Sequence, residues 1–227
     1  MIFALPLLLL YEALAALRPH GTLGDVRNGA DVILRTAFTL VAGAYGPMLM
    51  LGIVIVASLV MVRRDMRKNG RAIRWSFFPL MAGESVVYAL CFGVVVGTLT
   101  ARLLSPHRMA MFDQVALDAT TRLVVSLGAG LYEELLFRVI LVSGLSWLAR
   151  MVFGWRPLPA GIFATLVGAV VFSASHYIGQ FGDKLELQSF VYRAIGGVAF
   201  SAMYLLRGFG ITAWTHSLYD VFLLTLH

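Results

Sequence analysis

The feature that most restricts this chain is a succession of apolar runs, each near the length needed to cross a bilayer, with too little between them for a soluble domain. A spanning helix takes about 20 predominantly apolar residues, and runs of that order fill nearly all of the 227 residues. Composition points the same way: 59% of the residues are hydrophobic and only 13% are charged, outside the range of ordinary soluble domains. The chain therefore reads as an all-α, polytopic membrane helix bundle. It is expected to form one domain over residues 1–227, in an integral multi-pass protein of the cell (inner) membrane.

About seven spans account for the runs, with six to eight as the range. Met1 to Leu17 is apolar apart from Glu12 and has no basic stretch before it, so it reads as a retained helix rather than a cleaved leader. Arg18 to Asp31 reads as a loop. Val32 to Val62 is a long apolar segment interrupted by Pro47, expected to tilt or to begin outside the core. A basic loop, Arg63 to Arg74, leads to a third span, Ser76 to Leu104, and a polar loop from Ser105 to Arg122 follows. The fourth span contains the apolar run Leu123 to Leu148. The fifth is Leu158 to Ile178, the sixth Phe190 to Leu206, and the seventh Ile211 to Leu226, after a turn at Arg207 to Gly210. Gly93 and Gly97 have the spacing of small residues that let helices approach closely. Glu84 reads as a buried polar group with a local partner.

Six of the eighteen Lys and Arg residues fall between Arg63 and Arg74, beside a long apolar segment, and this marks a cytoplasmic loop. Alternation then puts the N-terminus inside and the C-terminus outside. Arg150, Arg156 and Arg207 fall on the cytoplasmic side, and Asp183 and Glu186 across the membrane. A loop of this kind meets anionic lipid in the bilayer. No nucleic-acid motif accompanies the formal charge of +6, so nucleic acid is not expected as a partner. The single Cys91 can form no intrachain disulfide and has no second thiol with which to hold a metal.

The fourth span holds Tyr132, Glu133, Glu134 and Arg138 inside its apolar run. A charged group within a span costs at least about 2.5 kcal/mol on insertion scales and usually marks function. On a helix Glu134 and Arg138, four apart, share a face and can pair. Glu133 lies about 100° round the axis and is left free. Two other spans carry ionisable groups at helical spacing: His176 one turn after Phe172, and His216 one turn before Asp220. Such groups must find one another or water, so the three spans are expected to bring them to one pocket.

Glu133-Glu134 with Arg138, Phe172 with His176, and His216 with Asp220 resemble, in this order, the three motifs of the CAAX-protease and bacteriocin-processing family of intramembrane glutamic endopeptidases. The resemblance covers roughly Thr121 to the C-terminus, so the catalytic core motifs lie in 121–227. The last motif often ends in Asn in the prenyl-protease branch, and here it ends in Asp220. The resemblance implies an endopeptidase acting on a membrane-associated protein or peptide, with neither cofactor nor metal. It assigns Glu133 and His176 to holding and deprotonating a water, Glu134 to pairing with Arg138, and His216 to the oxyanion. Asp220 would orient His216 or be protonated itself.

Two other readings stay open. Glu133, His176, His216 and Asp220 are also nitrogen and oxygen ligands that suit zinc in a metal-dependent membrane protease, although the chain has no His-Glu-x-x-His segment. A non-catalytic binding, immunity or transport protein would also bury Glu and His. Nothing in the residues selects a substrate, prenylated or not, or an oligomeric state. In straight, full-length spans His216 would lie much nearer the cytoplasm than His176. A shared site therefore requires a recessed turn at Arg207 to Gly210, with both imidazoles approaching Glu133 across a water-accessible cavity.

Overall fold

The structure, a computed structural model, describes residues 2–18, 26–69, 75–104, 118–179 and 182–225. After a 3-10 turn at Ile2–Ala4, the helices are α1 (Leu5–Leu17), α2 (Gly29–Ala42), α3 (Gly46–Asn69), α4 (Phe77–Leu103) and α5 (Ala119–Gly128). A π-helical segment, Ala129–Val142, continues α5 and runs into α6 (Ser143–Phe153). Then come α7 (Pro157–Ser175), α8 (Leu187–Arg207) and α9 (Phe209–Thr225). No strand occurs among the described residues. Gly29–Arg64, Phe77–Leu103, Ala119–Phe153, Pro157–Ser175 and Leu187–Arg207 are long and apolar enough to cross a membrane, and Ile2–Leu17 is a shorter apolar helix. With α9 these make the seven runs read from the sequence, and the protein is an integral multi-pass membrane protein. The parts of the expected loops at 19–25, 70–74 and 105–117 lie outside the described residues.

Side chains at the helix starts explain several boundaries. Asn28 accepts from the Ala30 amide at the head of α2, and Asp118 accepts from the Thr121 amide at the head of α5, satisfying amides that the helix itself leaves unpaired. Pro157 opens α7, where its missing N–H costs nothing. The expectation of one long segment over Val32 to Val62 needs correction. At Gly43, φ is 58°, in the left-handed region that glycine adopts without steric cost. A Cβ on Gly46 would lie 2.4 Å from the Thr39 amide nitrogen, a contact possible only where the chain doubles back. α2 and α3 therefore pack on each other as a helical hairpin. α3 also runs on to Asn69, so the first half of the expected basic loop is helical.

α9 is the centre of the bundle, packed against α4, α5, the π segment and α8, while α7 packs on α8. Gly93 of α4 meets the Tyr219 ring, but Gly97 has nothing within 4 Å, so only the first of that pair serves a helix contact. Arg207, at the end of α8, grips Glu84 with two bonds, Nε to Oε1 at 2.6 Å and a terminal nitrogen to Oε2 at 2.5 Å. Glu84 stands seven residues past the start of α4, about 10 Å along the helix. The α8–α9 turn thus meets α4 well inside its end. Beneath the turn, Trp214 donates to the Phe3 carbonyl at 2.7 Å.

Candidate active site

The charged groups of the π segment are held by residues far away in sequence. Glu134 is fully buried and Arg138 is 1% exposed. Arg138 Nε lies 3.1 Å from Glu134 Oε2, but it is not aligned for a hydrogen bond, and its terminal nitrogens have no hydrogen-bond partner among the described residues. Two phenyl rings cover the guanidinium instead, Phe172 at 4.5 Å and Phe200 at 5.5 Å. A desolvated cation over a ring gains about 2 kcal/mol. The other Glu134 oxygen, Oε1, takes Nδ1 of His216 at 2.7 Å. An ionised carboxylate only accepts, so His216 carries a proton on Nδ1.

That bond orients His216, and Phe200 stacks on the imidazole with centroids 4.3 Å apart and planes 19° apart. Nε2 then points toward Glu133 Oε2 at 3.9 Å and Asp220 Oδ2 at 3.7 Å, both too far for a direct hydrogen bond. The resemblance implies that Asp220 orients His216 or is protonated and that Glu134 pairs with Arg138; in the structure it is Glu134 that bonds the ring nitrogen Nδ1. Asp220 faces the opposite edge of the imidazole, beside Glu133.

Glu133 receives a bond on Oε1 from Asn28 Nδ2 at 2.8 Å, which leaves Oε2 as the oxygen turned toward His216. Asn28 lies 105 residues away in a stretch read as loop, and its only sequence signal is that of a helix cap before Gly29. His176 follows the last residue of α7 and bonds its Nδ1 to the Phe172 carbonyl at 2.8 Å. A carbonyl accepts only, so the neutral ring keeps Nε2 as its free lone pair. The loop behind it is tied down by the Asp183 amide on the His176 carbonyl at 2.9 Å and by the Asp183–Arg193 ion pair. The Phe172 ring is close to both imidazoles, its centroid 4.9 Å from that of His176 and 6.3 Å from that of His216. The structure thus gathers Glu133, Glu134, Arg138, His176, His216 and Asp220 around the middle of α9. Phe200 and Asn28, which no motif singles out, join them.

A second polar network lies on the far side of Asn28. Asp31, fully buried, accepts from Tyr11 at 2.6 Å, Arg35 Nε at 2.6 Å and Arg27 at 3.1 Å. Glu12 accepts from Arg35 at 2.6 Å and from the Tyr132 hydroxyl at 2.7 Å. Tyr132 immediately precedes Glu133, so this network binds α1 and α2 to the π segment beside the carboxylate.

Among the described residues no three His, Cys, Asp or Glu side chains converge as a metal-binding group. Residues 116–222 match the family model described as Rce1-like, type II CAAX prenyl endopeptidase. That segment, a little under half of the chain, is similar to the CAAX-protease family. No curated protein and no solved structure matches it. The similarity points to a membrane protease, a peptide hydrolase of CAAX type. All three motif pairs fall inside the matched segment, whereas Asn28 and every member of the second network except Tyr132 fall before it.

Proposed function

We propose that this protein, similar to CAAX proteases over residues 116–222, is a glutamic-type intramembrane endopeptidase in which Glu133 is the general base. The observation that carries the reading is the division of labour between the two oxygens of Glu133. Oε1 is fixed by Asn28, and Oε2 is turned toward His216, whose Nε2 is 3.9 Å away. A water held there by Oε2 and the free Nε2 of His176 would give its proton to Glu133 as its oxygen attacks the peptide carbonyl. The carbonyl oxygen becomes an oxyanion, and a proton on His216 Nε2 would be donated to it, an effect worth on the order of 10²–10³ in rate for one donor. Collapse breaks the C–N bond, and the proton taken up by Glu133 passes to the leaving amine. Glu134 and Phe200 set the ring plane of His216, and Arg138 balances the buried charge of Glu134.

The test compares protein termini in membranes of cells producing the wild type or Glu133→Gln at matched levels. Termini that appear with the wild type and vanish with Glu133→Gln are the expected result, because glutamine keeps the shape but cannot take a proton. The same termini at the same abundance with both proteins would remove Glu133 as the base.

A further inference from the structure

The candidate site sits near one end of the bundle, and that end is the less basic one. His176 follows the nineteen residues of α7, which carry it about 28 Å from Pro157, close to the full hydrocarbon thickness of about 30 Å. Glu133 stands twenty residues before the end of α6 at Phe153, on the half of its rod that begins at Asp118. Arg193, the seventh residue of α8, is tied to Asp183 at the same end. Through the recessed turn at Gly208, His216 reaches this level although it is only the eighth residue of α9.

The opposite end carries the basic clusters. α3 ends there with Arg63, Arg64 and Arg67, in the stretch that holds six Lys and Arg up to Arg74. Arg150 and Arg156 flank the α6–α7 connection at that end. Three tryptophans mark the same end, Trp75, Trp147 and Trp155, exposed by 70%, 61% and 40%, as side chains anchored at a headgroup layer are. Among the described residues at the site end, the cations Arg18, Arg27, Arg102, Arg122 and Lys184 are spread over three connections, among Asp118, Asp183 and Glu186. Clustered Lys and Arg stay in the cytoplasm during insertion. Three crossings, α4, the α5–α6 rod and α7, separate the Arg63–Arg74 stretch from Asp183, so the two lie on opposite sides.

We propose that the site opens to the face away from the cytoplasm, and that its substrate is an exported, membrane-anchored polypeptide cut close to the outer leaflet, not a cytosolic prenylated C-terminus. This substrate class rests on the proteolytic reading above; the face of the site does not.

The experiment therefore has two arms. In a Cys91→Ser background, single cysteines at Arg67, Lys184 and His176 are exposed in intact cells to impermeant thiol reagents, a maleimide for the first two and a small methanethiosulfonate for His176→Cys. Lys184→Cys and His176→Cys should react before permeabilisation, and Arg67→Cys only after it. Reaction of Arg67→Cys in intact cells, with the other two protected until permeabilisation, would overturn the assigned face. In the second arm, the Glu133-dependent termini are placed on the topology of the proteins that carry them. They should lie in exported segments within a few residues of a span. Termini in cytosolic C-terminal tails would overturn the substrate class. Finding no Glu133-dependent termini while labelling is as expected would overturn the proteolytic reading, and the substrate class with it, but not the face.

Discussion

Asn28 leaves Glu133 one fixed oxygen and one turned toward His216, and that makes it a positioning residue with a separable effect. Asn28→Ser keeps an oxygen able to cap α2, so accumulation should hardly change. It is too short to reach Glu133, and a hydrogen bond to a charged group is worth about 1.5–3 kcal/mol. The turnover rate should fall roughly 10- to 100-fold with little change in KM, read with a cleavable membrane-anchored reporter; an equal loss of protein level would make Asn28 merely structural. Glu134→Gln acts differently. It strands Arg138, which is 1% exposed, and the protein should accumulate poorly in the membrane by immunoblot. Replacing both partners, Glu134→Gln with Arg138→Met, should restore accumulation without restoring cleavage, since a buried pair exchanged for apolar volume is often neutral while half a pair is not. The Glu134–Arg138 pairing could be read from the chain because it is local, four residues on one helix. Asn28 and Phe200 could not, because what they hold is 105 and 16 residues away, and an Asn before Gly or a Phe in an apolar span looks ordinary.

At the level of elements, the π segment is what brings the motif pair to α9. π turns are rare and gather at functional sites, and this one runs for fourteen residues. Its fit against α9 depends on having no side chain at Gly130. A Cβ there would lie 2.1 Å from Ser217 Oγ and 2.3 Å from the Ala213 carbonyl oxygen, and the second of these is backbone that cannot move aside. Gly130→Ala should therefore separate Glu134 from His216 and abolish cleavage, with a lowered unfolding temperature in detergent. Gly97→Ala, which meets nothing within 4 Å, is the matched control and should behave as wild type. Helix number and order were legible because each span is an apolar run of the right length. Winding was not: π and α turns share the same composition, and the i→i+5 register follows from packing. The α2–α3 reversal was half legible. Pro47 flags a break, but the reversal belongs to Gly43 and the contact of Gly46 with Thr39, which only the folded chain shows.

For the molecule as a whole, the family match begins at residue 116, yet the carboxylate inside it is held from residue 28. Sequence alone made the first 120 residues generic membrane helices, since Glu12, Asp31 and Arg35 are scattered singly among apolar neighbours and only assembly makes them a network. That network ties α1 and α2 to Tyr132, and through α2 it holds Asn28 against Glu133. If Asn28 works only because α2 is anchored, the two perturbations share one path. Asp31→Asn removes the anion that Tyr11, Arg27 and Arg35 surround. Breaking a buried pair from one side costs about 3–5 kcal/mol, so this variant should melt earlier in detergent. It should also cut more slowly at temperatures where it remains folded, although no atom of Asp31 touches Glu133. Combined with Asn28→Ser, it should slow cleavage little beyond the slower single variant, because residues acting through one contact are not additive. Cleavage rates for the wild type, both single variants and the double variant, each measured well below its unfolding temperature, decide the matter. Rates that multiply independently would show that the N-terminal network stabilises the bundle without positioning Glu133.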